Sequence, residues 1–341
     1  MIDQAEAEEI AKHRLFPDKP GGKKYVIVDC VEYPFGWMFY YSGPGTDLDG
    51  AKNSFIVERD GTIGRLSYLR VEQELGLKAY EAVWNLKNEF AAAQEMAQQK
   101  KFDEAIASIQ KCLAKLKTDP LLEGARGSND NVLLRMDYLN ALGNVQRQAK
   151  NLEDAETTLL KAKQLLDEWS PVTQVASLQE RLPILESLLA LRKEQRKTVE
   201  SERLKREIAT AYRTQREHSK AQEILEQLLQ RRVESYSETH PAVAQTLTDL
   251  ALLKCDLAQT YEAQFFLDRA MAVWEPLLQN QEELRKFATG DFTMNEFIKS
   301  AAETMECYAS FVLMRQGKKE AAAALRQRAK DLTATCLSAN L

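Results

Sequence analysis

Between Leu139 and Pro171 two amphipathic stretches flank a short polar turn. The first contains Leu139-Asn140-Ala141-Leu142-Gly143-Asn144, the turn is Asn151-Leu152-Glu153-Asp154, and the second runs from Ala155 to Pro171. Apolar residues recur three and four places apart on both sides, which predicts two helices. Leu142 and Gly143 fall on the first, and Ala155, Leu159 and Ala162 on the second. Small residues at Gly143 and Ala155 let the backbones approach, and the larger ones fill the seam. A hairpin of this kind leaves one apolar face uncovered, so it needs neighbours.

The rest of the chain supplies them. Lys101-Phe102-Asp103-Glu104-Ala105, Ser219-Lys220-Ala221, Thr260-Tyr261-Glu262-Ala263 and Gly317-Lys318-Lys319-Glu320-Ala321 repeat the turn between helical patterns. Four places after each turn alanine stands Ile109, Leu159, Leu225, Leu267 or Leu325. The steps between successive turn alanines are 50, 66, 42 and 58 residues. The longest leaves room for an extra helix from about Val172 to Leu191, despite Pro183. Arg126 to Asp130 and Asn280 to Asp291 read as longer connections. The prediction is an all-α array of about five hairpins over residues 81–341.

The front of the chain has a different period. Asp3 to Leu15 has helical spacing, ended by Pro17, Pro20 and Gly21-Gly22. Tyr25 to Val31 is β-branched, and Phe35 to Tyr41 alternates. In that second strand Trp37, Phe39 and Tyr41 share one face, which reads as core, while Met38 and Tyr40 share the other. If that second face is solvated, Met38 and Tyr40 are the surface candidates for a partner. Asp60-Gly61, between Phe55–Arg59 and Thr62–Tyr68, is the strongest hairpin signal in the chain. One helix and about four antiparallel strands give a small α+β domain over residues 1–80. Glycine use agrees: nine of 14 glycines lie in the first 76 residues, and none between Gly143 and Gly290.

Charge and chemistry narrow the function. A net charge of −5 argues against a nucleic-acid binder. Five scattered cysteines without a CxxC pair suggest neither a disulfide framework nor a zinc site. The acidic N-terminus lacks a signal pattern, and no apolar run is long enough to span a membrane, so a cytoplasmic protein is expected. Gly45 to Asn53 imitates a phosphate loop only at its glycines, since Asp47 and Asp49 would repel phosphate. His13, His218 and His240 are far apart, and His240, before Pro241, reads as a local cap. No catalytic motif, metal site or cofactor site is expected, and the chain reads as non-catalytic.

Two resemblances add to this. Glu32 to Tyr41, then Phe55 to Ile63, resembles the immunity-protein-35 family of small bacterial α+β domains, with a Gly-Trp-x-Phe strand after an acidic residue. The resemblance covers about 75 residues and implies a domain that binds and neutralises a toxin. The turn pattern resembles the tetratricopeptide repeat. Thr239-His240-Pro241-Ala242-Val243-Ala244 with Leu247, Leu250, Ala251 and Arg269-Ala270 is similar to kinesin-light-chain repeats. That resemblance implies a superhelical solenoid with the first helix of each repeat on a concave groove. Counting back from the turn alanines, the groove residues it implies are Asn140, Asn144, Arg147, Arg203, Arg206, Thr210, Arg213, Gln245 and Thr248. Asn suits an extended peptide backbone and Arg suits carboxylates, so the groove fits an acidic or C-terminal segment. The same residues also suit a solvated face with pairs such as Glu202–Arg206. The resulting expectation is a protein-binding, toxin-neutralising protein with a repeat scaffold. The alternative is an adaptor whose groove holds a peptide of a signalling or assembly partner.

Overall fold

The computed structural model describes residues 2–15, 26–42, 53–64, 73–119, 128–169, 177–288 and 292–338. The chain divides into two compact units, residues 1–149 and 150–341.

In the first unit, helix α1 (Gln4–Leu15) begins with a reciprocal cap. The Asp3 carboxylate accepts from the Glu6 N–H at 2.9 Å, and Glu6 accepts from the Asp3 N–H at 3.1 Å. Strands β1 (Val26–Tyr33), β2 (Gly36–Ser42), β3 (Asn53–Glu58) and β4 (Ile63–Gly64) form one antiparallel sheet in chain order. The β3–β4 turn is the one expected at Asp60-Gly61, where Asp60 Oδ1 accepts from the Thr62 N–H at 2.8 Å. The Gly43–Gly50 loop, with the phosphate-loop look-alike, and the rest of the Thr62–Tyr68 strand fall outside the described residues.

Trp37, Phe39, Phe55 and Val57 point to one face and pack on Ala7 and Ala11 of α1. The opposite face departs from expectation. Met38 is only 2% exposed, and Tyr40 is half-buried. Helix α2 (Gln73–Gln98) covers this side, so Phe35, Met38 and Ile56 pack with Tyr80, and Trp84 lies beside them. The alternation is that of a sheet with a helix on each face, and Met38 is core rather than surface. Residue 80, where the front domain was expected to end, lies inside α2. That helix serves the sheet with one end and α3 (Phe102–Thr118) with the other. Helix α4 (Ser128–Gln148) completes the unit, with Leu86, Ile109, Leu113 and Leu142 in one core and Phe90 stacked on Tyr138. Ser128 to Asp130, expected in a connection, form the first turn of α4.

In the second unit, α5 (Leu152–Trp169), α6 (Ser177–Glu194), α7 (Thr198–Thr214), α8 (His218–Tyr236), α9 (Pro241–Asp256) and α10 (Thr260–Gln279) each pack on the next. Short α11 (Gln281–Phe287) follows, where a plain connection was expected. Asn280 caps it by accepting from the Glu283 N–H, and Leu284 is fully buried. Helix α12 (Met294–Tyr308) packs on α9 and α10. It runs into a π-helical turn (Ala309–Leu313) and is followed by α13 (Lys319–Ser338). The extra helix expected near Val172–Leu191 is α6, with Pro183 inside it.

One backbone device recurs. Lys100, Lys150, Arg196, Arg216, Ala258 and Gly317 all have φ between 58° and 73°. Five of the following residues send their N–H back five places, as Lys101 does to Met96 and Gln259 does to Lys254. This is the left-handed helix end of a Schellman motif. Five places after each left-handed residue stands a buried small one: Ala105, Ala155, Ser201, Ala221, Ala263 and Ala322. The turn at Arg196 was not expected, because Ser201 replaces the alanine. The last turn is displaced by one residue from expectation: Ala322 is buried, whereas Ala321 is exposed.

Helix α9 is the most enclosed, with every residue from Pro241 to Leu250 buried. His240 caps it as expected, its Nδ1 accepting from the Ala242 N–H at 3.1 Å. The ring stacks on Tyr236 and sits among Phe287, Phe292 and Phe297.

Candidate functional site

Four of the residues implied for the groove lie on α7 and two on α9, all within the second unit. Arg203, Arg206, Thr210 and Arg213 recur at three- and four-residue steps, so α7 presents them in one row. Each arginine meets a carboxylate of the chain itself. Arg206 makes a two-point contact with Asp249 of α9, including Nη2 to Oδ1 at 3.1 Å, and lies 3.7 Å from Glu303 of α12. Arg213 Nε is 3.3 Å from Asp256, at the end of α9. Arg203 Nη2 donates to Glu296 of α12 at 2.8 Å, and its guanidinium lies 6.0 Å from the Phe292 ring centre. Glu296 is itself fixed, since it accepts from both the N–H and the hydroxyl of Thr293 at 3.0 Å. Glu202 and Arg206, one turn apart, pair elsewhere rather than with each other. Glu202 meets Arg232 at 3.1 Å in a fully buried contact, and Arg232 also donates to the Ala242 carbonyl at 2.7 Å.

Gln245, Thr248 and Asp249 of α9 lie beneath this row and are buried at 6%, 0% and 7% exposure. The Thr248 hydroxyl donates to the Ala244 carbonyl and meets the Thr304 hydroxyl of α12 at 2.7 Å. Gln245 and Thr248 are therefore interior residues, not an open groove wall. Thr210 turns its hydroxyl back to the Arg206 carbonyl at 3.0 Å. Burial alone would weaken the Arg206 charge, but Asp249, then Glu303 and Glu296, outweigh it and hold the guanidinium protonated. Burial pushes the Glu303 carboxyl above its ordinary range, with Arg206 acting against it.

Asn140, Asn144 and Arg147 lie in the first unit, four and three residues apart on α4, all half-buried. Asn144 Nδ2 donates to the Asn140 carbonyl at 3.1 Å. The Asn140 side-chain oxygen is buried without a hydrogen-bond partner among the described residues.

The sequence reading named the arginines and missed the carboxylates. A signal was available: Arg206 to Asp249 spans 43 residues, and so does Arg213 to Asp256. That is close to the 42 residues between the turn alanines Ala221 and Ala263. The ladder thus joins nearly equivalent positions of successive repeats. Among the described residues no cluster of three His, Cys, Asp or Glu side chains is placed to hold a metal ion. Nor, among them, is any helix long and apolar enough to cross a membrane.

This arrangement is that of a helical-repeat scaffold. A tetratricopeptide repeat family model matches residues 200–275, which run from the first turn of α7 into α10 and contain the arginine row. No curated protein matches the chain. Among solved structures, BtubC (BKLC) from P. vanneervenii is 16% identical, with a TM-score of 0.38 over 69% of this chain and 91% of that one. A Podosopora anserina kinesin light chain form with nearly identical tetratricopeptide-like repeats is 17% identical, with a TM-score of 0.32 over 74% and 97%. A tetratricopeptide repeat protein from Parabacteroides merdae is 14% identical, with a TM-score of 0.26 over 74% and 98%.

Proposed function

We propose that the chain is a non-catalytic protein-binding adaptor whose α7 row receives an acidic or C-terminal segment of a partner. The observation that carries this reading is the tetratricopeptide match over residues 200–275, which encloses Arg203, Arg206 and Arg213. In this reading the chain's own carboxylates occupy the row until a ligand arrives. Arg203 is the entry point: its side chain is 36% exposed, and the 40% exposed Glu296 is its partner. A partner carboxylate would replace Glu296 there and leave the buried Arg206–Asp249 pair in place.

A toxin-neutralising role for the front sheet rests on the Glu32–Tyr41 motif. Three of its residues already have structural duties. Glu32 pairs with Arg59 at 2.7 Å, Trp37 is core, and Met38 lies under α2. The adaptor reading is therefore the one adopted.

The test is affinity of the full chain for a peptide library, comparing free with amidated C-termini and acidic with neutral residues. Acidic ligands should bind best, and Arg203→Glu should weaken them about tenfold, the worth of one charge-assisted contact. Equal binding of acidic and neutral peptides, or no change with Arg203→Glu, overturns the reading.

A further inference from the structure

Four of the five large apolar side chains exposed among the described residues lie between Leu257 and Met314. Leu257, Tyr261, Phe265 and Met314 are 37%, 91%, 57% and 39% exposed. Tyr261 and Phe265 open a stripe on α10 that continues through Asp268, Ala272 and Glu275, at steps of three and four residues. All five are exposed, so this is one solvent-facing side of a single helix. Its two halves differ. The first half carries two protruding rings. The second half borders a cleft of about 610 Å³ between α10 and α13, floored by Met271, walled on the far side by Ala321, Ala324, Leu325 and Arg328, and lined also by Tyr308, whose hydroxyl donates to Asp268 Oδ1 at 2.9 Å. The protruding half and the hollow half are on the same surface.

We propose that the chain forms a two-fold dimer in which α10 of one copy lies antiparallel on α10 of another. The register follows from the stripe. With the axis between positions 268 and 269, Phe265 of each copy falls opposite Ala272 of the other and enters the cleft over Met271. Asp268 then falls opposite Arg269 of the other copy, twice, on either side of the axis. Arg269 is already poised on this face, its guanidinium 5.7 Å from the Phe265 ring centre. Tyr261 comes opposite the Glu275–Pro276 end, with its hydroxyl within reach of the Glu275 carboxylate. A single surface that supplies both ring and hollow, and both charge signs, is what a two-fold contact requires. Exposed rings that a second copy covers also fit the general rule that contiguous apolar surface marks an interface. Ala321 and Ala324 are the short side chains of the α13 wall, beside the longer Leu325 and Arg328.

Sedimentation or light scattering of the full chain over a concentration series tests this. The mass should rise from one 38.8 kDa chain toward two. Phe265→Asp, at a side chain more than half exposed, should hold the mass at one chain with unchanged circular dichroism. Asp268→Arg and Arg269→Asp should each do the same alone, because each variant presents one sign of charge to itself. Mixed together, those two variants should dimerise again, since each then meets its opposite. A wild-type chain that stays at one mass into the millimolar range overturns the proposal. So does a Phe265→Asp chain that still dimerises, or a mixture that fails to restore the dimer.

Discussion

Arg206 on α7 grips Asp249 on α9 through both carboxylate oxygens, and the pair is held where the Asp249 side chain is only 10% exposed. It ties two helices that belong to successive repeats.

Removing one member would strand the other. Arg206→Ala should destabilise the second unit by about 3 kcal/mol, because Asp249 would lose its two-point partner in a buried place. Arg203→Ala, at a more exposed pair, should cost no more than about 1 kcal/mol. Urea unfolding of both variants, with Asp249→Ala and the double variant to close a cycle, measures the coupling. Equal losses for Arg203→Ala and Arg206→Ala would show that the buried pair has no special role.

The left-handed turn residues supply a second prediction. Ala258 adopts φ 58°, a conformation that costs a residue with a Cβ about 1 kcal/mol or more relative to glycine. Ala258→Gly should therefore raise the melting temperature. Gly317→Ala should lower it by a comparable free energy. Its φ is 73° and an added Cβ would meet nothing within 4 Å, so the effect would be one of backbone conformation alone. Scanning calorimetry of the two variants checks the opposite signs.

Acid should weaken the cap of α9. Burial first, and the Arg232 charge second, lower the His240 pKa from 6.5 to about 4. The folded state thus holds the ring neutral while the unfolded chain takes up a proton more readily. The stabilisation is complete above about pH 6.5 and is lost progressively as the pH falls to about 4, for a total of roughly 3 kcal/mol. His240→Asn retains a capping side chain and should flatten the stability profile across that window. A slope unchanged between wild type and variant would assign the acid sensitivity elsewhere.

The helical array was legible because each turn reports itself locally. A small residue must sit where two helices cross, and Ala105, Ala155, Ala221 and Ala263 mark four such places within a few residues of polar turns. Where the local mark changed, the reading failed. Ser201 hid the turn at Arg196. The run Ala321–Ala324 let the last turn be placed one residue early, at Ala321, where the buried residue is Ala322. The short α11 passed as a connection because seven residues carry too little periodicity to register. What sequence could not show was contact at a distance. Glu296 lies 93 residues from Arg203, and the rings that bury Met38 come from a helix beyond the sheet. The front motif was read as a mark of binding, yet much of it is explained by folding. At Gly36, for example, a Cβ would fall 2.1 Å from the Val57 carbonyl oxygen.

The cover that α2 places on the sheet bears on how the protein is dissected. A fragment ending at residue 80 would keep the sheet but discard Trp84 and most of the helix that shields Phe35, Met38 and Ile56. Such a fragment would carry a sticky apolar face of its own making, and any partner it captured would report the cut rather than the protein. A fragment ending at Ala149 keeps that helix whole, together with the two helices packed on it.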